Sequence, residues 1–242
     1  MTEIEDMGIN GLTALVLAGG QGERLRPYTE NRPKPMVPVN GRPVLEYHLT
    51  WLRDGGVKKA FLLCGYLHNV IKEHFGEGNS LGMELEYVVE EEPLGTGGAI
   101  KQGLARLDSG VELAIATNGD TITEQSVGDL VRVHQQHSGL ATVMLVSLIS
   151  PYGIVDTEDD GRVREFVEKP ALPYWLNAGV YVLDPAVQAY LPDRGDYERT
   201  AFPALARDGQ MYSYKSTALW IGVDTVKDLS DASRILATRT TT

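Results

Sequence analysis

The sequence predicts an α/β fold: a Rossmann-like, mostly parallel sheet with helices on both faces, and a mixed, partly antiparallel extension in the C-terminal half. Three observations predict it. Up to about residue 150, short apolar runs rich in β-branched residues alternate with stretches of helical period, the rhythm of strand–helix units. From Pro151 that rhythm gives way to hairpin spacing. The chain has 242 residues, 43% hydrophobic and 23% charged, enough for one domain with a sizeable core, whereas two small domains would be strained. The expectation is a single domain over 1–242, its halves running from about 12 to 150 and from about 151 to 242.

Taken in order, residues 1–11 read as a loose leader, and 13–18 as a buried strand. Gly19, Gly20 and Gly22 follow, and Pro27, Pro33, Pro35 and Pro38 bar any helix before about Pro43. Residues 43–54 have a helical apolar period closed by Gly55-Gly56. Strand 59–64, helix 67–75, strand 84–89, helix 96–107, strand 111–117, helix 124–137 and strand 141–148 complete the alternation. Beyond Pro151 the chain reads as a hairpin that turns at Glu158-Asp159-Asp160-Gly161 and returns over 162–167. Strand 176–183, a short helix 198–207, strand 210–214 and a closing helix 226–236 finish it.

A net charge of −11 excludes an overall field for nucleic acid or an anionic membrane. No apolar run approaches membrane-spanning length, and the start, MTEIEDMGIN, is unlike a secretory signal, so a cytoplasmic protein is expected. Cys64 is the single cysteine and reads as a buried spectator thiol. The five histidines show no metal-ligand spacing and receive no role. The composition leaves a homo-oligomer open.

The stretch 13–47 carries the chemistry. Its three glycines let backbone N–H groups approach an anion, and Arg24, Arg26, Arg32 and Lys34 bring full positive charges to the same loop. The combination asks for a polyphosphate. A dinucleotide fingerprint would run straight into a helix, which the prolines forbid, and a Walker loop would close on Gly-Lys-Ser/Thr, which is missing. The pattern GGxGxRLxPxT followed by PKPMxPVxGxPxLEY instead resembles the signature of the sugar-1-phosphate nucleotidyltransferases, the NDP-sugar pyrophosphorylases.

Ligands of open α/β sheets sit beyond the carboxyl ends of strands, and two further segments end strands that way: 90–98 and Asn118-Gly119-Asp120. Glycines and a threonine at 91–99 open a helix whose N-terminus would face anions, and small residues there let a flat base lie on the backbone. The stretch PLGTGGA resembles the family's nucleoside cradle. The resemblance thus implies nucleotide contacts at Leu17, Ala18, Gly19, Gly20, Gly22, Arg24, Glu92, Pro93, Gly95, Thr96 and Gly119. Asp120 reads either as a Mg²⁺ ligand or as a turn residue capping its own backbone; the resemblance implies the metal role. Glu168-Lys169-Pro170 reads as a surface ion pair or, by resemblance, as an acceptor element. Lys169 would then meet the sugar phosphate and Glu168 a sugar hydroxyl, with Gly153 and Asn177 at further sugar contacts.

One motif departs from much of the family. Many members read W-x-D-x-G-T before the last helix, whereas this chain reads Trp220-Ile221-Gly222-Val223-Asp224-Thr225, closer to cytidylyltransferases. Asp224 is then the second metal ligand, or merely a cap of the closing helix. The implied reaction joins an NTP and a sugar 1-phosphate into an NDP-sugar with release of pyrophosphate. Arg24, Lys34, Asp120 and Lys169 would be its catalytic residues, Mg²⁺ on Asp120 and Asp224 its cofactor, 12–150 its nucleotide half and 151–242 its sugar-phosphate half. GTP is favoured, with CTP, UTP and dTTP as alternatives. Gly222 keeps open an inactive, NDP-sugar-binding regulatory paralogue.

Overall fold

The computed structural model describes residues 12–239; the leader expected over 1–11 lies outside them. In chain order the strands are β1 (Thr13–Leu17), β2 (Pro38–Val39), β3 (Arg42–Pro43), β4 (Lys59–Cys64), β5 (Glu84–Val89), β6 (Ala114–Asn118), β7 (Thr121–Thr123), β8 (Ala141–Ile149), β9 (Ile154–Thr157), β10 (Val163–Val167), β11 (Ala171–Leu183), β12 (Met211–Lys215) and β13 (Trp220–Gly222). The helices are α1 (Val44–Asp54), α2 (His68–Phe75), α3 (Gly95–Leu104), α4 (Val127–Gln135), α5 (Ala201–Arg207) and α6 (Val226–Arg239).

Seven strands form the main sheet in the order β12-β8-β11-β6-β1-β4-β5. β1 lies parallel to both β4 and β6, with Thr13 opposite Lys59 and Ala114. β11 enters antiparallel between β6 and β8, so strands of the second half extend the same sheet. β9 and β10 stand apart as an antiparallel hairpin.

Alternation along the strands sorts the core. Ala14, Val16, Ala60, Leu62, Ile115 and Val180 face α1, α2 and α4 through Leu45, Leu49, Ile71 and Leu130. Leu15, Phe61, Leu63, Ala116 and Tyr181 face the other way, against Ile100 and Leu104 of α3 and Leu205 of α5. A third cluster joins Leu25, Val37, Val44, Ile122, Ile221 and Leu229. It anchors the glycine loop, α1 and α6 to one another and so sets the distance across the site.

Most expected elements appear within a few residues, and the differences have physical causes. β7 pairs antiparallel with β13, nearly a hundred residues away, so the helix expected from 124 waits until Ser126, whose side chain accepts from the Asp129 N–H at 3.1 Å. The strand expected from 111 begins at Ala114, the first residue with a partner on β1. The helix expected from 198 begins at Ala201, because the residues before it form a turn against α3. No helix among the described residues is long and apolar enough to cross a membrane.

Candidate active site

The glycine loop closes on itself before it can close on anything else. The Lys34 N–H donates to the Gly20 carbonyl at 3.1 Å, and the Thr29 hydroxyl donates to the Gly22 carbonyl at 2.8 Å. Gly22 has φ 66°, and a Cβ there would lie 2.8 Å from the Cβ of Lys34, so only glycine lets the lysine stem pass. Lys34 thereby reaches inward. Its Nζ lies 2.5 Å from Asp120 Oδ2 and 2.7 Å from Asp224 Oδ1, and Arg24 Nη2 reaches the same Asp224 oxygen at 2.8 Å. Four residues chosen from three distant motifs form one cluster.

Asp120 ends the tight turn after β6. The Gly119 N–H donates to the Leu17 carbonyl at 2.9 Å, and the Val223 N–H donates to the Asp120 carbonyl at 3.1 Å. That second bond brings 222–224 alongside. Asp224 does not cap α6. Asp228 accepts from the N–H groups of Thr225 and Asp224 at 2.8 and 3.2 Å, and its own N–H donates to the Thr225 hydroxyl, a reciprocal capping box. The Asp224 carboxylate is left free to face Lys34. A Cβ on Gly222 would point at the same place, 3.8 Å from Asp224 Oδ2 and 3.1 Å from the Trp220 ring.

Burial works against the charge on Lys34, yet the two carboxylates outweigh it and hold the ammonium above its ordinary range. Burial likewise opposes the Asp224 charge, but Lys34 and then Arg24 keep that carboxyl below the usual carboxylate range. The donor set suits a hard divalent ion. Two carboxylate oxygens converge on the Lys34 ammonium, with no third acid, histidine or cysteine grouped beside them among the described residues, so a metal ion would sit beside that ammonium and not at the point it occupies. An ion that takes one or two carboxylates and fills its shell with phosphate oxygens and water fits such a pair.

Beside the cluster lies a cavity of about 330 Å³, lined by Leu17, Gly19, Gly20, Leu63, Glu90, Pro93, Gly95, Thr96, Ala99, Asn118, Asp120 and Asp196. It gathers six of the residues expected to meet a nucleotide. Glu92 is not among them: its side chain points outward to Arg194 at 3.2 Å. Ala18 is buried with its N–H on the Leu63 carbonyl, and the Gly119 N–H is likewise taken by Leu17. The α3 N-terminus also differs from expectation. Gly97 and Gly98 donate to the Gly195 carbonyl, Thr96 N–H points to Asp196 Oδ1 and Leu94 N–H donates to Glu90 Oε2, so these four donors serve the protein rather than an anion. Those glycines exist because Pro192, Asp193 and Gly195 press against them, within 2.9 Å of where a Cβ would sit. Sequence reasoning named the segments that hold Glu90 and Asn118 without giving either residue a role, and missed Asp196. The first two stand at strand ends, as Asp120 does, and that position was their signal; Asp196 had none.

The acceptor residues cluster separately. A Cβ on Gly153 would lie 3.0 Å from Glu168 Oε2, and Lys169 Nζ lies 3.8 Å from Glu168 Oε1. Lys169 has φ 49°, so the strand does stop and turn before Pro170. Asn177 sits elsewhere, donating to the Tyr181 hydroxyl at 2.7 Å and accepting from the Gly179 N–H at 3.0 Å. Gly179 abuts Asn118, which lines the cavity. A larger hollow of about 500 Å³, between the 31–43 loop and α2, takes Arg32 of the loop's cations but none of the residues expected to contact nucleotide, sugar phosphate or metal.

The family profile described as nucleotidyl transferase matches residues 13–239. A mannose-1-phosphate guanylyltransferase of Mycobacterium tuberculosis is 36% identical over 230 residues, covering 92% of this chain and 64% of that protein. The chain thus spans just under two thirds of that relative's length. Among solved structures, HddC from Yersinia pseudotuberculosis complexed with GMP-PN matches with TM-score 0.71 and 25% identity, over 93% of this chain and 99% of HddC. A Bacillus anthracis protein assigned as a glucose-1-phosphate thymidylyltransferase and solved with sucrose has TM-score 0.74 at 20% identity, over 93% and 95% of the two chains, a likeness of fold.

Proposed function

Because the chain belongs to the nucleotidyl transferase family, we propose that it transfers a nucleotidyl group from an NTP to a sugar 1-phosphate, forming an NDP-sugar and pyrophosphate. The observation that carries this reading is the meeting of Lys34, Asp224 and Arg24 with Asp120, which itself lines the cavity. An acceptor phosphate oxygen attacks the α-phosphorus, the bond to the β-phosphate oxygen breaks, and pyrophosphate leaves with its electron pair. The nucleophile is already an anion, so no general base is needed, and the barrier lies in bringing two polyanions together in line.

In this reading Lys34 stabilises charge on the α-phosphate, while Arg24, largely exposed at the loop tip, holds the departing β- and γ-phosphates. Asp120 and Asp224 would hold a divalent ion, Mg²⁺ in our proposal, whose bound charge would offset that of the two substrates. Lys169 and Glu168, with Gly153 and Asn177, would orient the sugar phosphate. Asp224 beside Lys34 supports an active enzyme over a regulatory paralogue despite Gly222.

Glu90 supports a choice of base. One of its oxygens accepts the Leu94 N–H at 3.0 Å, and the other lies over Gly19 and Gly65 in the cavity wall. A carboxylate only accepts. Guanine alone of the common bases offers two adjacent ring-edge donors, N1–H and the 2-amino group, which supports GTP; the guanylyltransferase relative and the GMP-PN complex of HddC agree. Pyrophosphate release measured with each common NTP, Mg²⁺ and a panel of sugar 1-phosphates tests the reading. Turnover highest with GTP is expected. Nucleotide binding without turnover on any pair would contradict it.

A further inference from the structure

We propose that His48 is a positioning residue that clips together the two ends of the turn carrying Asp120; the inference rests on the role proposed above for that carboxylate. His48 comes from α1 and lies completely buried beneath the site, with the Trp51 ring 5.1 Å away, centroid to centroid. Its Nδ1 is 3.0 Å from the Thr121 carbonyl and its Nε2 is 2.7 Å from the Thr117 hydroxyl. A carbonyl only accepts, so Nδ1 carries the hydrogen; in the neutral ring Nε2 then accepts from the Thr117 O–H. Thr117 precedes and Thr121 follows Asn118-Gly119-Asp120. One imidazole therefore spans the turn.

The turn has one tie of its own across it, the Thr121 hydroxyl donating to the Asn118 carbonyl at 3.1 Å, and two to its surroundings, Gly119 N–H donating to the Leu17 carbonyl and Val223 N–H donating to the Asp120 carbonyl. Among the described residues His48 is the one side chain from outside the turn bonded to both of its flanks. The clip matters because Asp120 lies 2.5 Å from Lys34 Nζ, and misplacing a reacting group by about 1 Å costs on the order of a hundredfold in rate.

Three variants test this. His48→Phe fills the space and removes both bonds, His48→Asn keeps a donor for the Thr121 carbonyl, and Thr117→Val removes only the hydroxyl. Each is read by kcat, by KM for NTP and sugar phosphate, by melting temperature, and by hydrogen exchange of the 119–121 amides. The clip predicts that His48→Phe lowers kcat about ten- to a hundredfold. KM for the sugar phosphate should stay within roughly twofold, exchange at 119–121 should quicken, and His48→Asn should recover most of the loss. Thr117→Val should shift kcat and exchange the same way, less far, and decides the matter if His48→Phe does not fold. A lowered melting temperature with wild-type kcat and wild-type exchange at the turn would overturn the proposal. Were the wild type to show no turnover, the proposed function would fail, and the exchange data alone would still decide the clip.

Discussion

Remove the Asp224 carboxylate and Lys34 keeps one anionic partner where it had two. Asp224→Ala should lower kcat on the order of a hundredfold, the scale seen when one preorganised charge-stabilising group is lost. Arg24→Ala should cost a similar factor in rate but almost nothing in stability, because its side chain is 70% exposed and an exposed ion pair contributes little to folding. Steady-state kinetics alongside thermal melting checks both; equal damage to stability and rate in Arg24→Ala would contradict the assignment. Cys64 behaves oppositely. Burial, with the nearby Glu90 charge, pushes its thiol up to about 12, so iodoacetamide should fail to label the folded protein and label it only after unfolding. At this scale the sequence was legible where a residue belonged to a long motif, as Lys34 and Asp120 do. It was silent on His48, whose partners are a carbonyl and a hydroxyl that no spacing reveals.

At the scale of elements, the capping box of α6 links stability to the site. Thr225→Ala or Asp228→Ala should each cost about 1 kcal/mol. Asp228 also fixes the Asp224 N–H, so Asp228→Ala should lower kcat more than Thr225→Ala at equal loss of stability. Paired denaturation and rate measurements decide it, and identical kinetics in the two variants would sink the coupling. Long strands and amphipathic helices were readable because burial imposes their periods: β4 and β5 fall where the apolar pattern puts them. β7 and β13 were not, since three residues show no period and each owes its conformation to the other. The glycines of α3 were legible as glycines, but their close packing was not, because the loop that crowds them lies about a hundred residues on.

Across the whole molecule, two buried histidines set the acid limb of stability. Burial drives His48 down to about 4 from 6.5, and lowers His134 as well. Between pH 6.5 and about 4 the unfolded chain binds a proton that folded His48 refuses, so stability falls as pH drops through that window, by on the order of 3 kcal/mol for His48. Lys34, held above its ordinary range, loses its contribution only at high pH, and Asp224, held below its own, only in stronger acid. Denaturation from pH 7 to 4 should therefore show a slope that His48→Asn flattens; an unchanged slope would contradict it. The sequence made the sheet, its parallel half and the changed second half legible, since these follow from alternation and spacing. The cavity wall was less so, because Asp196 arrives from a loop with no signal of its own. The central claim is that Lys34 and Asp120 work together on a triphosphate. Its most direct test is pyrophosphate release at saturating GTP, Mg²⁺ and sugar 1-phosphate, comparing wild type with Lys34→Met and Asp120→Asn. Steady turnover in the wild type and a loss of about a hundredfold or more in each variant is the predicted result; two folded variants turning over at the wild-type rate would contradict it.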